Sequence, residues 1–203
     1  MRSAVARLNP IAALLLSLTF AGAFMPASAS GSAPPALKAG VFNPPYMAPD
    51  FSLRGSDGSA VTLARYRGKV VLLTFGFTNC AAVCPTTLAS LAQTRSRLGK
   101  AADSVQVIYV TVDPARDSVA RMREYLAAFD PGFIGATGAP DTLAAVRQKY
   151  GVTAIRQGTG KDYAMAHTSS IFMIDPAGRL RAVMPFGHGP ADFVHDVKLL
   201  SAR

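Results

Sequence analysis

Apolar residues along the chain follow two periodicities, one typical of buried strands and one of helices. Near-continuous apolar runs over 69–77 and 104–112 predict strands that are buried on both faces of a sheet. Leucines at helical spacing predict a helix over 85–100, with Pro85 in its first turn. Asp117 is the predicted N-cap of a later helix. The remaining predicted elements are strands over 51–53, 60–63, 169–175 and 180–184 and helices over 118–129, 141–150 and 192–200.

The order of these elements predicts the fold class. Strands and helices alternate through the middle of the chain, which then ends in a hairpin and a closing helix. This order predicts an α/β protein with a central mixed β-sheet flanked by helices on both faces. A final hairpin followed by a helix is the order found in thioredoxin-like folds. We expect one thioredoxin-like domain over 46–203, preceded by a flexible lead-in over 30–45 that is rich in Gly, Ser, Ala and Pro.

The first thirty residues are typical of an export signal. Arg2 and Arg7 form a basic start, residues 11–25 are mostly apolar, and Ala27-Ser28-Ala29 matches a cleavage site. We therefore predict a signal peptide over 1–29 and a periplasmic or otherwise exported protein. The alternative is an uncleaved anchor that keeps the protein at the membrane. The apolar run is shorter than the ~20 residues that a spanning helix needs, which favours cleavage.

Composition and charge exclude several classes of protein. Half of the 203 residues are hydrophobic, which excludes an intrinsically disordered chain. Two cysteines are too few for a disulfide-dense scaffold or a four-cysteine metal site. The formal charge of +9 becomes +7 without Arg2 and Arg7, and the basic residues are scattered. We expect no nucleic-acid binding. A solvated basic surface is the favoured interpretation, and peripheral association with an anionic membrane or an acidic partner is the alternative.

Candidate chemistry lies at the junction of the first long strand and its helix. Cys80 and Cys84 are four residues apart there, a spacing that places them on one side of a helical turn. The helix N-terminus is expected to lower the pKa values of both thiols, and thiolates bind soft metals such as Cu(I) or Zn(II). A structural disulfide or a pair of inert core thiols is the alternative. A bridge here would close a very small loop and contribute little stability.

A histidine is the expected third ligand. His167 directly precedes a predicted strand, and in a thioredoxin-like sheet the start of that strand faces the helix N-terminus beside the cysteines. His188 in a loop and His195 on the last helix are predicted to lie on the surface. Met165 could lend a thioether to copper, although a loop contact is favoured. Asp113 is expected to be a turn residue, with a carboxylate supporting the site as the alternative.

The chain resembles the SCO/SenC family of copper-binding, thioredoxin-like assembly factors for cytochrome c oxidase. The resemblance spans roughly residues 46–202 and implies that copper, as Cu(I), Cu(II) or both, is bound by Cys80, Cys84 and His167. The motifs that carry it lie at 50–53, 68–78, 80–85, 111–117, 167–170 and 174–178. The family's metal ligands fall on the C-x3-C-P motif and on the histidine before a later strand.

The resemblance implies a copper chaperone that receives copper from a copper donor. The chaperone would then deliver it to the copper centre of a cytochrome c oxidase subunit. The alternative is a dedicated thiol–disulfide oxidoreductase in which Cys80 and Cys84 reduce the acceptor's cysteines and are restored by a thiol reductant. Residues 168–170 contain no proline, which argues against a general exchange enzyme. A third hypothesis, peroxide reduction of the peroxiredoxin type, leaves His167 without a role.

Overall fold

The structure, a computed structural model, describes residues 36–202. The predicted signal peptide lies outside these residues. Within the described part, no helix is long and apolar enough to cross a membrane. The strands are β1 (Gly40–Met47), β2 (Leu53–Gly55), β3 (Ala60–Val61), β4 (Val70–Gly76), β5 (Val105–Thr111), β6 (Ile134–Thr137), β7 (Ala154–Gln157), β8 (Ala164–His167), β9 (Ser170–Ile174) and β10 (Arg179–Pro185). The helices are α1 (Val83–Leu98), α2 (Val119–Ala127), α3 (Pro140–Lys149) and α4 (Pro190–Ser201).

Eight of these strands form one mixed sheet in the order β1-β10-β9-β4-β5-β6-β2-β3. The central strands β4, β5 and β6 are parallel, whereas β9 pairs with β4 in the antiparallel direction. Every residue of β4 and β5 is buried. Because side chains alternate between the two faces of a strand, both faces of the sheet centre are covered. The two apolar runs of the sequence are therefore the strands that the hydrophobic pattern predicted.

Helices and turns mostly agree with the predicted pattern. α1 packs against α4, and α2 packs against β6. The turn between β9 and β10 contains Gly178 at a φ of 78°, a backbone conformation that favours glycine. The predicted cap of α2 is wrong. Ser118 is the N-cap, and its hydroxyl accepts a hydrogen bond from the backbone N–H of Arg121. Asp117, the expected cap, is instead buried, and its carboxylate accepts a hydrogen bond from the Thr78 hydroxyl just after β4.

Two regions differ from the sequence prediction. Residues 40–45, expected in a flexible lead-in, form most of β1 and pair with β10 at the sheet edge. Their Pro and polar content hid a strand because an edge strand tolerates residues that a central strand excludes. The short strand β6 and the hairpin of β7 and β8 were also not predicted. That hairpin forms a separate two-stranded sheet, and it ends at His167.

Candidate metal centre

The loop between β4 and α1 places both cysteines at the start of a helix. The N-cap residue, Ala82, offers no side-chain hydrogen bond to the first turn. The backbone N–H of Cys84 donates instead to the Cys80 sulfur, at 3.4 Å. The sulfur thus satisfies one of the free N–H groups with which every helix begins. Both thiols are unpaired in the structure, with Cys80 partly exposed and Cys84 buried.

The pKa values of the two thiols are shifted in opposite directions. Burial on its own raises the pKa of Cys80, but hydrogen bonds from backbone N–H groups in the first turn of α1 outweigh it, and the pKa lies below its ordinary value. Burial raises the pKa of Cys84 to about 12. The expectation that the helix N-terminus lowers both pKa values is therefore right for Cys80 and wrong for Cys84. The reason is that Cys84 lies in the protein interior, where the charged form loses its solvation.

His167 approaches the buried thiol from the end of β8. Its Nε2 atom lies 3.6 Å from the Cys84 sulfur, and its Nδ1 atom lies 2.9 Å from the backbone carbonyl oxygen of Thr168. A carbonyl oxygen only accepts hydrogen bonds, so Nδ1 carries the proton. With the proton on Nδ1, a neutral ring would present its Nε2 lone pair on the side of the sulfur, the arrangement that a metal-binding histidine requires. The ring packs edge-on against Phe77, with 5.8 Å between ring centroids.

A buried ionic network connects the histidine hairpin to the loop after β5. The Asp113 carboxylate pairs with the Arg116 guanidinium at 2.5 Å and accepts a hydrogen bond from the Tyr163 hydroxyl at 2.5 Å. Arg116 also donates to the backbone carbonyl oxygen of Tyr163 at 2.9 Å and lies 3.7 Å from the centroid of its ring. Asp113 is a turn residue, as predicted, because its backbone carbonyl oxygen accepts from the Arg116 N–H at 3.2 Å, and its carboxylate also connects this turn to Tyr163. Arg116 and Tyr163 were not singled out from the sequence, because an isolated Arg or Tyr carries no local signal.

A second buried carboxylate holds the segment in front of Cys80. Asp117 accepts hydrogen bonds from the Thr78 hydroxyl at 2.7 Å, the Thr111 hydroxyl at 2.6 Å and the Thr78 backbone N–H at 3.2 Å. Burial raises the pKa of Asp117 even though these hydrogen bonds favour its charged form. The pattern Asp113-x3-Asp117 directly after a buried strand was a usable signal, because a carboxylate there reaches the neighbouring strand end.

A small cavity is lined by Cys84, His167 and Tyr109, among other residues. Met165 lies instead in a neighbouring shallow pocket with Asp113 and Tyr163. The other two histidines lie at the surface, as predicted, with 34% of the His188 side chain and 35% of the His195 side chain exposed, and each pairs with an acidic neighbour. The Nδ1 atom of His188 lies 3.0 Å from Asp192, and that of His195 lies 2.9 Å from Asp196.

The structure brings the three predicted ligands together, with Cys84 in contact with both of the others. Cys84 contacts Cys80 through its backbone N–H and His167 through its sulfur. Among residues 36–202, no three His, Cys, Asp or Glu side chains already converge in the geometry of a closed metal site. Two sulfur donors and one imidazole nitrogen are nevertheless the donor set that suits a soft, thiophilic metal ion.

Fold and site together define a thioredoxin-like domain with a thiol pair at the junction of strand and helix. A model of the SCO1/SenC family matches residues 42–202, so the chain belongs to that family. Copper-bound ScoI from Bradyrhizobium japonicum is 37% identical, with a TM-score of 0.70, and the match covers 76% of this chain and 99% of that one. Apo Sco1 from Thermus thermophilus is 36% identical, with a TM-score of 0.74, over 81% of this chain and 97% of that one.

Mitochondrial relatives match a shorter part of their own length. The mouse mitochondrial SCO2 homologue is 37% identical over 133 residues, which make up 64% of this chain and 52% of the mouse protein. The chain therefore spans about half the length of the mammalian relatives it matches. The solved bacterial structures named above are matched over nearly their full length, and they share the thioredoxin-like fold.

Proposed function

We propose that this protein is a copper chaperone that binds copper through Cys80, Cys84 and His167 and delivers it to the copper centre of a cytochrome c oxidase subunit. The observation that carries the proposal is the 3.6 Å contact between the Cys84 sulfur and His167 Nε2, with the Cys80 sulfur 3.4 Å from the backbone nitrogen of Cys84. The copper-bound structure of the 37% identical ScoI supports copper as the metal. Thiolate and imidazole ligands favour Cu(I), and the imidazole also permits Cu(II).

An anaerobic Cu(I) titration tests the proposed ligands. We expect one copper per wild-type protein, with binding abolished in a Cys80→Ser/Cys84→Ser double variant and weakened in His167→Ala. His195→Ala is the matched control, because it removes an imidazole that pairs with Asp196 rather than with a thiol. Binding that is unchanged in the double cysteine variant would contradict the proposal.

Delivery is tested by mixing copper-loaded protein with the isolated copper-binding domain of an oxidase subunit. Transfer by ligand exchange requires reduced cysteines on the acceptor. We expect copper to leave the chaperone for an acceptor with intact cysteines and to remain on it when those cysteines are replaced by serine. Equal retention in both mixtures would show that this acceptor does not receive the metal.

A thiol–disulfide reductase is the second candidate, favoured by the contrast between the two thiols. Cys80 is partly exposed and has a lowered pKa, as an attacking thiol requires, whereas Cys84 is buried, as a resolving thiol can be. The Cys80 thiolate would attack an acceptor disulfide, form a mixed disulfide and release one acceptor thiolate. Cys84, after losing its proton, would then attack the Cys80 sulfur and release the second. The protein ends oxidised, and an external dithiol would restore it.

Metal-free assays separate the two functions. A reductase should reduce an acceptor disulfide without copper and should tolerate His167→Ala, since the imidazole takes no part in sulfur exchange. A copper carrier should lose affinity in the same variant. Disulfide reduction that requires bound copper would contradict the reductase function.

We also propose export to the periplasm, with residues 1–29 as a signal peptide. The support is the basic start, the apolar run of 15 residues and the Ala27-Ser28-Ala29 site. N-terminal sequencing of the protein recovered from a periplasmic fraction should begin at or near Ser30. An intact N-terminus in a membrane fraction would instead support the anchored form.

A further inference from the structure

The hydroxyl of Tyr109 is buried without a hydrogen-bond partner. Tyr109 lies on β5, and only 1% of the residue is exposed. Its hydroxyl oxygen contacts no acceptor or donor of standard geometry within the described residues. A buried hydroxyl that gives up water without gaining a partner destabilises a fold, whereas a phenylalanine of nearly the same shape would not. The hydroxyl therefore has no evident role in stabilising the core.

The neighbouring strand leaves space for this hydroxyl. A side-chain Cβ at Gly76, the last residue of β4, would lie 2.3 Å from the Tyr109 hydroxyl oxygen and 2.7 Å from two ring carbons. Glycine within a strand often marks a position where another group approaches closely. Any larger residue at Gly76 would displace the tyrosine ring end. The packing of two strands is thus built around the tyrosine.

The Tyr109 side chain extends into the cavity that Cys84 and His167 line. Cys84 and Tyr109 therefore share this small cavity, with 3% of Cys84 and 1% of Tyr109 exposed. A tyrosine hydroxyl is a donor, and a thiolate sulfur is an acceptor. Because Cys84 and Tyr109 are both buried, the tyrosine hydroxyl is the donor available to the Cys84 sulfur inside the domain.

We propose that Tyr109 is a positioning residue of the copper site, whose hydroxyl donates a hydrogen bond to the Cys84 sulfur once that sulfur is a metal-bound thiolate. The inference rests on the proposed function, because it requires copper on Cys84. A donor on a ligating sulfur fixes the sulfur in place and withdraws part of its electron density. The hydrogen bond should therefore strengthen Cu(I) binding and weaken electron donation from sulfur to Cu(II).

The test compares wild type, Tyr109→Phe and Tyr125→Phe. Tyr125 packs against Tyr109, and its hydroxyl also lacks a partner, but it does not line the cavity with Cys84 and His167. Cu(I) affinity is measured by competition with a chromophoric Cu(I) chelator, and the sulfur-to-Cu(II) charge-transfer band is recorded for each protein. We expect Tyr109→Phe to bind Cu(I) about tenfold more weakly, as loss of a hydrogen bond to a charged group predicts, and its band to move to longer wavelength. Tyr125→Phe should match wild type in both measurements.

Thermal unfolding of the metal-free proteins separates this role from a structural one. Tyr109→Phe should be as stable as wild type or more stable, because it removes an unpaired buried hydroxyl. Wild-type affinity and band position in Tyr109→Phe would overturn the inference and leave the copper site standing. An equal shift in Tyr125→Phe, or a lower unfolding temperature of Tyr109→Phe with an unchanged band, would also overturn it. Absence of cysteine-dependent copper binding in wild type would overturn both the inference and the proposed function.

Discussion

Cys80 and Cys84 follow β4, a fully buried strand that is paired on both sides within the eight-stranded sheet, whereas His167 ends β8, which pairs with β7 in a separate two-stranded sheet. The residues of β7 and β8 are mostly exposed or half-buried. The two sides of the site therefore differ in what holds them. The thiols are fixed by strand pairing and core packing, and the histidine is fixed by side-chain contacts to its hairpin.

This difference determines which contacts copper binding should depend on. An isolated two-stranded hairpin is at best marginally stable in water, so the β7–β8 hairpin needs contacts to the rest of the domain. The structure provides one through Arg116, which donates to the Tyr163 carbonyl. Within the hairpin, Thr153 and Thr168 close the open end, and their hydroxyls are 3.2 Å apart. Ordering a free hairpin would reduce the free energy available for binding the metal. Mutations on the histidine side should therefore affect copper affinity more than equally destabilising mutations on the thiol side.

The largest expected effect is that of Arg116→Ala. The variant removes the guanidinium from Tyr163 and leaves the Asp113 carboxylate, which is only 3% exposed, without its ion-pair partner. Removing one partner of a buried ion pair costs about 3 kcal/mol of the free energy of unfolding. Because the hairpin is then poorly ordered, we expect Cu(I) affinity to fall by about tenfold or more as well. Urea unfolding and Cu(I) competition measure the two effects.

Arg95→Ala is the matched control for Arg116→Ala. Arg95 forms a partly buried ion pair with Asp130 at 2.9 Å and donates to backbone carbonyl oxygens, as Arg116 does, but it lies on the C-terminal half of α1. We expect a comparable loss of stability with Cu(I) affinity close to wild type. Similar affinity losses in both variants would show that global stability, rather than the hairpin, controls copper binding.

Asp117→Ala, a variant on the thiol side, should lower stability with little effect on Cu(I) affinity. It leaves the Thr78 backbone N–H and two hydroxyls without their acceptor, at a cost of about 2 kcal/mol of the free energy of unfolding. Cu(I) affinity should change less than in Arg116→Ala, since β4 and α1 still hold the cysteines. A larger affinity loss in Asp117→Ala than in Arg116→Ala would contradict the comparison.

The raised pKa of Asp117 predicts a specific pH dependence of the protein's stability. Burial raises its pKa in the folded state, so the folded protein holds this proton more tightly than the unfolded chain does. Its contribution to stability is therefore fully retained at acidic pH and declines as pH rises from the ordinary carboxyl range through the raised pKa. In Asp117→Asn this part of the pH dependence should be absent, as urea unfolding between about pH 4 and pH 7 would show.

Alkylation should distinguish the two thiols of the reduced, metal-free protein. The pKa of Cys80 is lowered and its side chain is partly exposed, whereas the pKa of Cys84 is about 12 and its side chain is buried. Near pH 8 we expect iodoacetamide to modify Cys80 at least about tenfold faster than Cys84, because the thiolate is the reactive form. The alkylation rate of Cys80 should level off at a lower pH than that of an ordinary cysteine. Peptide mapping by mass spectrometry measures both rates, and equal modification of the two residues would contradict the assigned pKa shifts.

Parts of the fold with strong periodicity could be predicted from the sequence. The apolar runs of β4 and β5 and the leucine spacing of α1 carry their own signal, because burial on known faces restricts the residues allowed there. The strand β1 and the β7–β8 hairpin carry no such signal. They lie at an edge or outside the main sheet, where Pro44, Pro45 and many polar residues are tolerated. Such strands are defined by their tertiary partners rather than by local pattern.

The predicted site residues show a similar division. The sequence spacing of Cys80 and Cys84 and the position of His167 before a strand were sufficient to predict their proximity. The different pKa values of the thiols were not predictable, because they depend on how deeply each sulfur lies in the folded domain. Tyr109 was likewise hidden, since one tyrosine within an apolar strand gives no indication of which cavity its hydroxyl enters.

The smallest expected effect is that of Thr168→Val in the hairpin. The variant keeps the shape of the side chain and the backbone hydrogen bond from Thr168 to the Thr153 carbonyl, which is 3.1 Å long, but removes the hydroxyl that accepts from the Thr153 N–H. Water can replace this exposed bond, so we expect a loss of about 0.5 kcal/mol that is confined to the hairpin. Amide hydrogen exchange should become faster in β8 and remain unchanged in β4, and Cu(I) affinity should fall by less than about threefold.

Thr94→Val in α1 is the control, because the Thr94 hydroxyl bonds to the Ser90 carbonyl within the helix. Its removal should leave exchange in β8 unchanged. Unchanged exchange in β8 of Thr168→Val would show that the hydroxyl does not hold the hairpin closed, and the histidine side would then depend on Arg116 and Tyr163 alone.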